Sequence, residues 1–350
     1  MKIKAHKREL ENALKKASPA TETKATLPVL QGIYFYNDMM LATNLDTGIK
    51  TKYDCEILEK GRAVLPGRKM LNIVKSMPNE QVTITVDNLN AEIECGSTEF
   101  QVSGFDPEEF PELPEVGENS TLEVDSNELG NILDKTIFAL SNNDSQPALK
   151  AVCLEDGYAT ATNTYRLSNT ETDLSFSERL LLPGEAAKEV KKMCNAVDNV
   201  KVEYNESFIR FTFGDTVLIT RLIAAEFPNW QDVLPDDCKY DTLVTVDKGQ
   251  LINALKRANI VAQEEGGEVL FSISDNMKIT AESDENKVNE EIEVNTNGGE
   301  VKIKVDASYM IDGLKKIKDD TVRIELQDKL NPLVIREHGW IYVVMPIRQD

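Results

Sequence analysis

Three kinds of group in this sequence could carry chemistry: paired carboxylates, cysteines and histidines. Adjacent acids occur at Glu108–Glu109, Asp236–Asp237 and Asp319–Asp320. Two carboxylates can divide acid and base roles when their surroundings push their pKa values apart. With 60 Asp and Glu in 350 residues, however, such pairs arise by chance, and these read as solvated turns. Cys55, Cys95, Cys153, Cys194 and Cys238 stand singly with no CxxC pair, and an odd number cannot all pair within the chain. They read as reduced, mostly buried thiols. His6 and His338 are the only histidines, and neither has a Cys or an acidic pair at ligand spacing, so no metal is expected. The sequence has no GxGxxG, GxxxxGK[ST], GxSxG or HExxH. The expectation is a protein without catalytic residues, cofactor or metal, which works by binding.

The elements around these residues repeat. Each of three copies opens with a short strand and an amphipathic helix: MKIKAHKRELENALKKAS, LEVDSNELGNILDKTIFALS and LVTVDKGQLINALKRANIVA. In the second, Asp125 or Ser126 can cap the helix and Leu129, Ile132 and Leu133 share a face; in the third, Asp247 caps and Leu251, Ile252 and Leu255 form it. Alternating hairpin strands follow, as in GIYFYNDMMLATN, AVCLEDGYATATN and EVLFSISDNMKITAES. A second helix then enters at Pro66, Pro183 and Asp306, and a further strand set closes each copy. First helices begin near 6, 126 and 247 and second helices near 66, 183 and 306, a period of about 120 residues. Boundaries are expected at 1–120, 121–242 and 243–350, after the connectors FPELPEVGENS and FPNWQDVLPDDCKYD. The fold class is α+β, with two helices per repeat packed on antiparallel sheets.

Charge is segregated by element. The windows 6–17, 67–77, 126–139, 184–194, 248–260 and 307–318 hold 17 Lys and Arg against 7 acids, a net +10; with the whole chain at −21, the remainder carries −31. Lys15, Lys16, Lys191, Lys192, Lys256, Arg257, Lys315 and Lys316 lie toward helix C-termini, where the helix dipole favours cations. The dipole does not account for the near absence of acids from Arg68 to Lys75 and from Lys248 to Arg257. A shared basic surface fits a phosphate backbone as partner. No helix-turn-helix, zinc finger, RNP-like strand or basic arm stands out, so binding should be independent of base sequence. No apolar run approaches the length of a membrane span, and MKIKAHKREL lacks a secretory stretch, so a cytoplasmic location is expected.

Four stretches, TLPVLQG (26–32), TATNTYRLS (160–168), FPNWQDVLP (227–235) and YVVMPIR (342–348), occur in an order and spacing that resembles the beta subunit of bacterial DNA polymerase III, the sliding-clamp family, over essentially the whole chain. The resemblance implies a DNA-clamp fold of three like domains. It also implies a homodimer, joined head to tail into a ring whose helices face duplex DNA, with no catalytic site. DNA-facing side chains would include Lys7, Arg8, Lys15, Lys24, Arg68, Lys69, Lys75, Lys188, Lys191, Lys192, Lys256, Arg257, Lys315 and Lys316.

A partner-peptide cleft is implied as well, taking short linear motifs from the replicative polymerase, an ATP-driven clamp loader and repair proteins. Its walls would draw on Leu149, Thr162, Tyr165, Arg166 and Leu167, on Pro228 and Val233, and on Leu330, Pro332, Val343, Met345, Pro346, Ile347 and Arg348, with Tyr309 as a gate. Plain core packing is the competing reading of the apolar members. Asn163, Thr164 and Tyr165 replace the family's common Asp-Gly-His, and Asp232 stands where relatives can carry a basic residue; both bear on peptide preference. Ring closure would pack Ile260 and Val261 against Phe100 and Val102 of the partner copy. Two alternatives remain at this level: a clamp paralogue dedicated to a specialised polymerase or repair factor, and an enzyme with an unrecognised site. Loss of polymerase processivity on cleft substitutions separates a clamp from an enzyme.

Overall fold

The computed structural model describes residues 1–22, 26–117, 120–234 and 240–348. The first repeat comprises β1 (Lys2–His6), α1 (Lys7–Ala17), β2 (Gly32–Tyr36), β3 (Met39–Thr43), β4 (Thr47–Lys52), β5 (Glu56–Glu59), β6 (Arg62–Pro66), α2 (Gly67–Ser76), β7 (Gln81–Asp87), β8 (Asn90–Cys95) and β9 (Thr98–Ser103). In the second are β10 (Ser120–Asp125), α3 (Ser126–Thr136), β11 (Ala151–Glu155), β12 (Tyr158–Thr162), β13 (Arg166–Glu171), β14 (Leu180–Pro183), α4 (Gly184–Cys194), β15 (Asn199–Tyr204), β16 (Phe208–Phe213) and β17 (Thr216–Arg221). The third holds β18 (Thr242–Asp247), α5 (Lys248–Ala262), β19 (Glu268–Ile273), β20 (Asn276–Glu282), β21 (Lys287–Glu293), β22 (Asn295–Gly298), β23 (Val301–Asp306), α6 (Ala307–Leu314), β24 (Thr321–Leu326), β25 (Leu333–Glu337) and β26 (Trp340–Val344).

Local rules explain where the helices start. Asp125 Oδ1 accepts the Glu128 amide at 2.9 Å, Asp247 Oδ1 the Gln250 amide at 2.7 Å, and Asp306 Oδ1 those of Ser308 and Tyr309 at 2.7 and 3.0 Å, so free amides at the first turn find acceptors. Ser126, the other cap candidate, instead donates its hydroxyl to the Cys194 carbonyl. At α1 the cap is His6, whose Nδ1 accepts from the Arg8 amide. Leu10, Ala13, Leu14 and Ala17 recur at helical spacing and are buried. In β8 the period is two: Ala91, Ile93 and Cys95 are buried and Asn90, Glu92 and Glu94 exposed. Each fully buried Leu contributes about 1.5–3 kcal/mol of transfer free energy.

The chain forms two compact units, Met1–Gly130 with Glu185–Leu222, and Asn131–Gly184 with Ile223–Asp350. Sheet continuity explains why the second repeat is divided. Unit 1 holds a five-stranded sheet, β5-β1-β7-β8-β9, and an eight-stranded one, β10-β15-β16-β17-β4-β3-β2-β6, in which β17 of the second repeat pairs with β4 of the first. Unit 2 holds a nine-stranded sheet, β14-β11-β12-β13-β26-β25-β24-β18-β22, in which β26 of the third repeat pairs with β13 of the second, and a four-stranded sheet, β21-β20-β19-β23. Every strand pairing is antiparallel. The core of unit 2's third repeat gathers Leu251, Leu255, Phe271, Met310, Trp340 and Tyr342.

Candidate functional site

The β13–β26 ladder builds a cleft in unit 2. It sets Leu167 opposite Val343, so two apolar side chains lie side by side as a floor. The turn before β13 is fixed by Asn163, whose Oδ1 accepts the amides of Tyr165 and Arg166 at 3.1 and 3.0 Å. Thr164 takes φ 76° there. The opposite wall is the segment around a single 3-10 turn, Trp230–Val233. The Trp230 indole donates to Glu155, and its ring lies 5.2 Å from that of Tyr158. Between these walls is a cavity of ≈ 190 Å³ lined by Thr162, Thr164, Arg166, Leu167, Pro228, Asn229, Trp230, Val233, Val343 and Met345.

Seven of the sequence-predicted cleft residues therefore share that lining: Thr162, Arg166, Leu167, Pro228, Val233, Val343 and Met345. Leu149 lies in the apolar cluster beneath, with Ala148, Cys153, Phe227 and Val334. Tyr165 is 63% exposed, and its carbonyl accepts the Met345 amide at 2.9 Å. Leu330 is equally exposed, Arg348 is exposed, and Pro332, Pro346 and Ile347 are half-buried; none of these is on the lining. Tyr309 is also off it: its ring packs 4.4 Å from the Arg166 guanidinium, and its hydroxyl accepts from Asn163 Nδ2. Sequence reasoning missed Thr164, Asn229 and Trp230. The last two stand inside FPNWQDVLP, and a Trp two residues after a Pro in a connector is the signal that could have found them. Burial pushes the Cys153 thiol up to about 12, so the cysteine under the floor is inert as a nucleophile.

Arg166 joins the cleft to the third repeat. It is 9% exposed and donates from Nη1 to Asp312 Oδ2 at 2.9 Å and from Nη2 to the Phe138 carbonyl. Its Nε is buried without a hydrogen-bond partner among the described residues. Nearby, burial holds Asp306 above the usual carboxylate range, against the pull of the Tyr309 and Ser308 amides. Deeper in unit 2, Lys135 and Glu337 form a buried pair at 3.8 Å; burial depresses the lysine's pKa, opposed by the glutamate.

The basic helices are less free than their charge count implied. Lys7 and Lys15 both reach Glu11 at 2.6 Å and hold its pKa down to about 2. Lys188 pairs with Glu185, Lys192 with Glu189, Lys315 with Asp312 and Lys316 with Asp134. Arg257 grips Glu290 with two nitrogens at 2.7 and 2.6 Å. Arg8, Arg68, Lys69, Lys75 and Lys256 are exposed and carry no ion pair among the described residues; Lys191 is half-buried, and Lys24 lies outside the described residues. At the sheet edges, Phe100 is half-buried and Val102 4% exposed on β9, while Ile260 is 71% exposed and Val261 half-buried on α5. Among the described residues no cluster of His, Cys, Asp and Glu could hold a metal, and no helix is long and apolar enough to cross a membrane.

The structure thus combines a threefold repeat with joined sheets, an apolar cavity and helices rich in Lys and Arg. Three domain models of one family match the chain in order: the N-terminal domain of the DNA polymerase III beta subunit at 1–114, its central domain at 123–229 and its C-terminal domain at 231–348. The beta sliding clamp of Staphylococcus epidermidis is 29% identical over 97% of this chain and 96% of its own. The DNA polymerase III beta subunit structure from Thermotoga maritima superposes with TM-score 0.92 at 28% identity, and the sliding clamp from Bacillus subtilis with 0.90 at 25%, each over 100% of both chains. These define the class as DNA-replication processivity subunits, non-catalytic by family. The chain belongs to the DNA polymerase III beta-subunit family, the bacterial sliding clamps. Membership implies DNA and polymerase as partners and a dimeric ring.

Proposed function

We propose that two copies close head to tail around duplex DNA, and that the cleft of unit 2 takes apolar side chains of short linear peptides from the replicative polymerase, the clamp loader and repair proteins. One observation carries the ring. In both sheets that run between repeats, the last strand of one repeat pairs with the third hairpin strand of the repeat before it: β17 with β4, and β26 with β13. This leaves β9, the last strand of the first repeat, and β21, the corresponding third strand of the third, as free sheet edges. An edge offers unpaired amides and carbonyls, and a second copy supplies their complement in a heterologous interface that closes on itself.

The existing joints pair Thr216 with Thr51 and Trp340 with Thr170. The same register sets Thr98 opposite Glu290, Phe100 opposite Val288 and Gln101 opposite Lys287 of the partner copy. Ile260 and Val261 would then cover Phe100 and Val102. A cavity of ≈ 190 Å³ is below the roughly 300–1,000 Å³ of drug-sized ligand sites and suits side-chain anchors of a peptide. Sliding needs only weak, interchangeable phosphate contacts, which Arg8, Arg68, Lys69, Lys75 and Lys256 can supply and the other basic helix residues can join once their carboxylates release them. The three domains would divide at 1–120, 121–242 and 243–350, and the protein would work in the cytoplasm. Ile260→Asp tests the reading: sedimentation equilibrium should give the monomer mass and primer extension should lose processivity. An unchanged dimer mass would sink the interface.

A further inference from the structure

Asp312 on α6 stands between two surfaces to which the proposed function gives different partners. Its Oδ2 accepts from Arg166, which lines the cleft, at 2.9 Å. Its Oδ1 lies 3.8 Å from Nζ of Lys315, whose side chain is 55% exposed at the C-cap of α6. For each cation Asp312 is the ion-pair partner, and neither has another among the described residues. Arg166 also meets the Phe138 carbonyl, the rings of Phe138 and Tyr309 and the Tyr342 hydroxyl. The Asp306 carboxylate feels its charge as well but makes no ion pair with it among the described residues, and burial raises the Asp306 pKa, so Asp312 is the acid in direct contact.

We infer that Asp312 is a positioning residue that shares one negative charge between the cleft arginine and a DNA-side lysine, so that a change at either surface alters the other. The inference rests on reading the cleft and the basic helices as binding surfaces. A phosphate that draws Lys315 away leaves Asp312 to Arg166 and fixes the cleft wall. Loss of the Arg166 charge gives Asp312 wholly to Lys315, which is then less available to a phosphate. Coupling of this kind is reciprocal by thermodynamic necessity.

The test is a double-mutant cycle read on DNA, with no cleft ligand present. Binding of a fluorescein-labelled duplex is followed against salt concentration for the unsubstituted full chain, Arg166→Ala, Asp312→Asn and the double variant. Arg166→Ala, although it removes a cleft residue, should lower the steepness of the salt dependence by up to about one phosphate equivalent. Asp312→Asn should tighten duplex binding several-fold, and the double variant should behave like Asp312→Asn alone. A purely structural role for Arg166 would not produce that rescue. Because Asp312 is 39% exposed, its substitution tests the idea even if Arg166→Ala folds poorly. Unchanged duplex binding by Asp312→Asn overturns the inference, as does an Arg166→Ala effect that persists in the double variant. Failure of the unsubstituted chain to bind duplex would overturn the DNA reading as well.

Discussion

The turn at 44–47 and the turn at 163–166, 119 positions later, share a backbone and differ in what fills the space beside them. Asn44 Oδ1 accepts the Asp46 and Thr47 amides at 3.2 and 2.7 Å, and Asn163 Oδ1 accepts those of Tyr165 and Arg166 at 3.1 and 3.0 Å. The next residue is left-handed in both, Leu45 at φ 77° and Thr164 at φ 76°. The threonine before each Asn also accepts through its hydroxyl: Thr43 from the Leu45 amide at 3.0 Å and Thr162 from the Thr164 amide at 3.1 Å. The strand that follows starts differently. In the first repeat it carries Gly48, and the chain's own Leu113 lies so close that a Cβ there would meet its Cδ2 at 2.5 Å. At the matching place the second repeat has Leu167, beside an open cavity. A repeated scaffold is thus filled in one copy by its own connector and holds an open cavity in the other.

The largest expected effect is at the open copy. Leu167 is 3% exposed, so Leu167→Ala should cost about 2–5 kcal/mol in urea unfolding and also weaken partner tethering in primer extension. A cost below about 1 kcal/mol would mean the cleft floor is not continuous with the core. Next comes the closed copy. Gly48→Leu forces Leu113 aside and should destabilise by about 1–3 kcal/mol. Adding Leu113→Ala should recover much of that loss, because the two side chains compete for one space. Strict additivity of the two substitutions would break the comparison.

How much of this was legible in the sequence follows from the range of the interactions. Caps at Asp125, Asp247 and Asp306 and the buried faces of the helices obey rules that act within four residues, so the repeat could be read directly. The pairs Lys188–Glu185 and Lys192–Glu189 were legible in the same way, being three apart. Arg257–Glu290 and Lys316–Asp134 join residues 33 and 182 apart, so the charge count overstated how many cations face solvent unpaired. The cleft is harder still. Leu167 and Val343 are as buried as core residues, and only the third dimension separates a floor from a core. Likewise Tyr309 belongs to the Arg166 stack rather than to the lining, which no spacing reveals.

The smallest effect is the sharpest check that the two turns are equivalent. A left-handed conformation costs an L-residue about 1–2 kcal/mol, and glycine removes that cost while losing roughly 0.5–1 kcal/mol to its greater freedom in the unfolded chain. Leu45→Gly and Thr164→Gly should therefore each stabilise the chain, by less than about 1 kcal/mol. Leu45 is 51% exposed and Thr164 is exposed, so neither substitution opens a core cavity. The hydrogen bonds that hold both turns run to backbone amides at these positions and survive the change. Paired urea titrations should give equal shifts in midpoint with unchanged slope. A gain at one turn and a loss at the other would mean that Leu45 or Thr164 makes a side-chain contact the other lacks. At Thr164, which lines the cavity, that contact would belong to the cavity wall.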